Sequence, residues 1–148
     1  MKLRLATFAV TLLLLAPAST LCQERLRLTK YIYGQKYTVK VLDEDIEEMP
    51  SWNPEAEEVP LSLRKAVEVA RKNLPRFLPK DAEKWALDTI SLTQVGKPGS
   101  NKWLYQVDFT NFGLLGSNMD FMFSIYVKMD GTIVEPQVVP DDGKVRVY

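Results

Sequence analysis

From Trp85 onward the chain repeatedly alternates large apolar with polar residues. That period of two, placed directly after one clear amphipathic helix, restricts the fold more than any other feature of the sequence. In Lys102–Thr110 the residues Trp103, Tyr105, Val107 and Phe109 share one face, with Lys102, Gln106 and Asp108 on the other. Met119–Lys128 repeats the pattern, with Met119, Phe121, Phe123, Ile125 and Val127 set against Asp120, Ser124 and Lys128. Trp85–Val95 precedes these two, and Thr132–Val139 returns after Asp130-Gly131, a pair that favours a tight hairpin. Alternation of this kind predicts antiparallel strands with one face buried and one wet.

The helix is Ser62–Leu74. Leu63, Ala66, Val67, Ala70 and Leu74 fall on one stripe, while Arg64, Lys65, Glu68, Arg71 and Lys72 take the other faces. Ser62 is a suitable N-cap, and Pro75 predicts a stop at Leu74. Upstream, Arg25–Tyr33 and Tyr37–Val41 read as a β-hairpin or arm turning at Gly34-Gln35. Asp43–Pro60 carries eight acids, three prolines and no basic residue, a composition that predicts an exposed connection. Trp52 is its exception, either folded back as a clasp or held out as an anchor for a partner. The expected fold is α+β: one amphipathic helix packed on a curled antiparallel sheet of about four strands, with the N-terminal hairpin beside it.

The N-terminus reads as an export signal. Lys2 and Arg4 precede an apolar run, Leu5–Ala16, followed by the small residues of Ala-Pro-Ala-Ser-Thr. A run of about a dozen residues is short of the roughly 20 that a helix needs to span a bilayer. Cleavage after Ala18 or after Cys22 gives a periplasmic or secreted product. A lipid anchor on Cys22 is the less favoured reading, because Leu21 stands where a small residue is normally required. The expected organisation is a signal peptide at 1–22, a β segment with acidic linker at 23–60, and an α+β domain at 61–148. Without Lys2 and Arg4 the chain holds 17 basic and 19 acidic residues, a balance that argues against nucleic acid as partner.

Chemistry is sparse. The chain has no histidine, and its single cysteine, Cys22, lies at the expected cleavage region. Ser-His and Cys-His triads and His- or Cys-based zinc sites are therefore excluded from a mature chain. Asp43-Glu44-Asp45 lacks the spaced ligands and glycine of a calcium loop. Asp108 and Asp120 are expected on the wet face as solvated carboxylates. No catalytic residue, metal or cofactor is implied, and the chain is read as a non-enzyme.

The least ordinary segment is Asn111–Asn118, where Phe112, Leu114 and Leu115 stand between polar residues and glycines. Such a tip either folds over the end of the core or enters a partner's groove. Trp52, Phe112, Leu114 and Leu115 are thus the candidate partner-binding residues, and whether Trp52 lies beside the loop is left open by the sequence. The partner is another exported protein or a second copy in a homodimer. The alternative is a carrier for a small apolar ligand, with a pocket lined by Trp85, Trp103, Tyr105 and Phe123.

A helix followed by a three- or four-stranded meander resembles the PepSY-like domains, which share a cystatin-like arrangement of one helix on a curled sheet. The residues that carry the resemblance are Leu-Arg-Lys-Ala-Val-Glu-Val-Ala-Arg-Lys-Asn-Leu at 63–74, Trp-Leu-Tyr-Gln-Val-Asp-Phe at 103–109, and Ile-Tyr-Val-Lys-Met-Asp-Gly-Thr-Ile-Val at 125–134. It covers about 62–139. The resemblance implies an exported module that binds or restrains other proteins and carries no family-wide catalytic residue. Gln137-Val138-Val139 also looks like the start of a cystatin inhibitory loop, but Pro140 and Asp141 follow where that loop has glycine. A cysteine-protease inhibitor is therefore not inferred.

Overall fold

The computed structural model describes residues 24–55 and 57–142; the expected signal peptide and Cys22 lie outside them. The architecture is α+β, with one main helix and two antiparallel three-stranded sheets. Strands β1 (Glu24–Ile32) and β2 (Gln35–Leu42) form a hairpin. Tyr33 and Gly34 at its tip both have positive φ, +51° and +73°, as a two-residue turn matched to strand twist requires. A short helix, α1 (Asp43–Glu48), follows directly. Then come the main helix α2 (Leu63–Phe77) and strands β3 (Ala86–Val95), β4 (Lys102–Thr110) and β5 (Met122–Lys128). The last strand is β6 (Gln137–Pro140).

The expected single sheet of about four strands is corrected. β3-β4-β5 is one sheet and β1-β2-β6 another. After the Asp130-Gly131 turn the chain pairs only briefly with β5: Lys128 N–H donates to the Thr132 carbonyl, and Ile133 bridges Val127. Pro136 has no N–H to continue that ladder, so the chain leaves β5 and pairs β6 with β2 instead.

Apolar residues fill both faces of the β3-β4-β5 sheet. On one face Ala66, Ala70, Leu74 and Phe77 of α2 meet Tyr105, Val107, Phe109, Phe123, Ile125 and Val127. Trp85 lies in this core with its ring 6.4 Å from that of Phe123. On the other face Leu104, Val95 and Tyr126 meet Val39, Val41, Ile46 and Met49. The hairpin serves both cores, because Ile32 and Tyr37 belong to the first; the Tyr37 hydroxyl donates to the Phe77 carbonyl at 2.9 Å.

Two local expectations are also corrected. The helix does not stop at Leu74. It passes through Pro75 to Phe77, because burying Phe77 and Leu78 outweighs the one lost helical hydrogen bond. Leu63, expected in the buried stripe, is 54% exposed. Nor is Asp43–Pro60 a free connection. Three acids in the first turn of α1 suit its N-terminal dipole, and Ile46, Met49 and Trp52, spaced by three, are all buried. The Lys102 ammonium fixes the end of the segment by donating to the Met49 carbonyl.

Candidate functional site: an open sheet edge and an apolar tip

An α-helix is about 10 Å across, whereas strands lie about 4.8 Å apart, so one helix covers about two strands. α2 packs chiefly over β4 and β5. β3 is therefore left largely bare: of its ten residues only Val95 is buried. The expectation of one buried face fails here. Among the described residues, no strand pairs with the second edge of β3.

The register assigns the faces of β3. Leu87, Ile90, Leu92 and Gln94 stand opposite Phe109, Val107, Tyr105 and Trp103, on the α2 side. Thr89, Ser91 and Thr93 stand opposite Asp108, Gln106 and Leu104, on the other. Leu87 and Leu92 are 37% and 38% exposed. The strand carries one charge, Asp88, and no proline; a register shift between Leu87 and Thr89 is its one irregularity. Natural edge strands are usually blunted by lysine, proline or brevity. This one is long and lacks the first two. Leu63, Val67 and Arg71 recur every four residues along one side of α2, and the Arg71 guanidinium lies 5.3 Å over the Phe109 ring, next to Leu87.

The tip is built at the end of the sheet where β3 begins, since Ala86 pairs with Thr110. The Asn111 side chain accepts from Gly113 N–H at 3.0 Å and starts one 3-10 turn, Phe112–Leu114. The Ser117 hydroxyl donates to the Leu114 carbonyl at 2.6 Å and accepts from Met119 N–H. These bonds hold Leu114 inward, buried, while Phe112 and Leu115 are 66% and 63% exposed. Phe112 stacks on Phe121 with centroids 6.5 Å apart. Of the three candidates in this loop, only Phe112 and Leu115 are available to a partner; Leu114 is a plug.

Trp52 is not beside the loop and not accessible. It is buried, its indole donates to the Glu57 carbonyl at 3.2 Å, and its ring meets Trp103 edge to face at 5.8 Å. Its amide donates to the Asn101 carbonyl, so it sits at the start of β4 while the tip follows the end of that nine-residue strand. The clasp is the reading that holds. The carrier residues Trp85, Tyr105 and Phe123 are likewise buried in the helix-side core.

Asp108 and Asp120 are corrected too. Asp108 is buried and accepts from the Ser124 hydroxyl at 2.6 Å and from the Gln106 amide at 3.0 Å. Asp120 instead clips β1 to the sheet: its carboxylate accepts from Tyr31 N–H at 2.6 Å, and its own amide donates to the Tyr31 carbonyl. Burial, reinforced by the Asp108 charge, pushes the Tyr126 phenol up to about 12. Both carboxylates are structural ties and do not form an acid pair.

Sequence reasoning missed β3 as a surface. The available signal was the near absence of charge in 86–95, which alternation alone does not distinguish from a half-buried strand. Among the described residues no group of three His, Cys, Asp or Glu side chains could hold a metal ion, and no helix is long and apolar enough to cross a membrane. Comparison with protein-family models, curated proteins and solved structures finds no match to this chain.

Proposed function

We propose that this chain is a non-enzymatic, exported protein-binding module of PepSY-like type that works by adding a strand to the open edge of β3. The observation that carries the reading is the edge itself: ten residues, one charge, no proline and an exposed apolar row. Main-chain hydrogen bonds supply affinity in strand addition, and alternate side chains supply selectivity.

The occupant that fits is β3 of a second copy. Set antiparallel about a two-fold axis at Ser91, β3 places Ile90 opposite Leu92 of the second copy on the helix side. Thr89 meets Thr93 on the other side, and Ser91 meets its own equivalent. Apolar and threonine pairs of this kind contribute about 0.2–1 kcal/mol each. A two-fold interface is self-complementary by construction, and the result is one continuous six-stranded sheet. Phe112 and Leu115, at the end of the sheet where β3 begins, extend the apolar surface beyond the paired strands.

Sedimentation velocity tests this. The parent chain is expected to form a dimer whose fraction grows with concentration. Ser91→Lys, which sets two like charges face to face at the axis but is solvent-exposed in the monomer, is expected to sediment as a folded monomer. A parent chain that stays monomeric up to about 1 mM, where a contact worth about 4 kcal/mol would half-saturate, overturns the reading. So does a Ser91→Lys dimer as tight as the parent's.

A further inference from the structure

The crossing of the chain from one sheet to the other leaves a notch on β2. Val134 N–H still donates to the Tyr126 carbonyl of β5, whereas Gln137 already pairs with Thr38 of β2. The β2–β6 register therefore stops at Thr38, although β2 continues to Leu42. A cavity of about 330 Å³ lies there, between the end of β2, α1 and the 133–137 crossing. That volume is at the lower end for a ligand site, so it suits a small group or the end of a chain.

Strand geometry assigns the main-chain groups that face it. In an antiparallel ladder alternate residues turn both N–H and C=O to the same neighbour. The Asp141 amide donates to the Gly34 carbonyl, which places the even-numbered residues of β2 on the β6 side. Leu42 agrees, because its amide donates to the Asp45 carboxylate at 3.0 Å. Lys40 thus turns its N–H and C=O towards the cavity, with no main-chain partner among the described residues. With Leu42 capped by Asp45 and α1 beginning at Asp43, the open edge is one residue long.

Val41, Met49, Ile133 and Val134 give the cavity an apolar wall, and its charged groups are Lys40, Lys128, Asp45 and Glu135. Both acids are engaged: Asp45 holds the Leu42 amide, and Glu135 accepts from the Arg76 guanidinium at 2.7 Å. Asp130, two residues past Lys128, turns its carboxylate to the amide and hydroxyl of Thr132. Among the described residues neither the Lys40 nor the Lys128 ammonium is in an ion pair. One main-chain donor, one main-chain acceptor, two cations and an apolar wall thus share a space sized for one or two residues.

We propose that this notch binds the free C-terminus of an extended peptide whose last two side chains are apolar. The last residue's N–H donates to the Lys40 carbonyl. Its carboxylate accepts from the Lys40 N–H and from the ammonium groups of Lys40 and Lys128. An internal strand segment does not fit, because α1 closes one end of the edge and β6 the other. A simple carboxylate leaves the Lys40 carbonyl without a donor, which costs affinity.

The test is a titration of the isotope-labelled full chain, followed by amide shifts, with N-acetyl-leucyl-leucine, its C-terminal amide and hexanoate. Saturable shifts are expected at residues 40–42, 45–49, 128 and 133–137. The acid is expected to bind about tenfold tighter than the amide, the scale of one charge-assisted hydrogen bond. Lys40→Gln and Lys128→Gln should each weaken the acid about tenfold and the amide little. Amide or hexanoate binding as tight as the acid would overturn the proposal, as would undiminished binding by both variants. So would shifts centred on 86–95, which would mean that the peptide adds to the β3 edge instead. No saturable shift up to about 10 mM, where a contact worth about 3 kcal/mol would half-saturate, would also overturn it.

Discussion

Replacing Trp52 by alanine distinguishes a clasp from a partner anchor. Trp52 is 7% exposed, stacked edge to face on Trp103, and donates its indole hydrogen to Glu57. Truncating a large buried aromatic costs about 3–5 kcal/mol. The lost indole hydrogen bond accounts for about 1 kcal/mol of net stability. Partial collapse of the 50–58 segment into the space offsets some of this, so a loss of about 4 kcal/mol is expected. Domains of this size are stable by about 5–15 kcal/mol, so the change removes a large fraction of the total. Urea unfolding followed by tryptophan fluorescence gives the number. With a slope near about 2 kcal/mol/M, the midpoint falls by about 2 M. Phe112→Ala, made in parallel at a 66% exposed position, is expected to move it by less than about 0.3 M. A Trp52→Ala midpoint within about 0.5 M of the parent at unchanged slope would refute the reasoning. It would mean that the tryptophan is held in place by nothing that matters to folding.

Three further outcomes follow from the cores and the tip. Tyr126, Tyr37 and Tyr105 all have raised phenol pKa values, chiefly from burial, so their neutral forms are favoured in the fold. For Tyr126 that stability is complete below about pH 10 and is lost as pH climbs towards about 12, by about 3 kcal/mol at most. Melting temperature should therefore fall steeply across that window, and Tyr126→Phe should make the fall shallower. Asp108→Ala removes the acceptor of Ser124 and Gln106 in a buried place and is expected to cost about 1–3 kcal/mol by urea unfolding. Leu115→Ser, at a 63% exposed position, should leave stability within about 0.5 kcal/mol, whereas Leu114→Ser, at a buried one, should lose well over 1 kcal/mol.

Much of the fold was legible because burial and periodicity coincide. Ala66, Ala70 and Leu74 lie where the helical stripe puts them, and Trp103, Tyr105, Val107 and Phe109 lie on the face that alternation assigns. Sheet membership was not legible, because period two records which way a side chain points and not which strand lies alongside. Pro136 is the residue that decides it, by ending the ladder to β5. The acidic segment was misread because composition averages over position: eight acids conceal the spacing of Ile46, Met49 and Trp52. In the tip, Leu114 and Leu115 are chemically identical neighbours, and only the hydrogen bonds of Asn111 and Ser117 determine which one turns inward. The bareness of β3 follows from helix width, a quantity that no residue in β3 encodes.

The most direct test of strand addition at β3 is amide hydrogen exchange of residues 86–95 at two protein concentrations two orders of magnitude apart. Pairing of β3 with β3 protects the outward-facing amides of this strand at the higher concentration and exposes them at the lower, while β4 amides stay protected in both. Exchange at 86–95 that is fast and identical at the two concentrations would contradict the proposal.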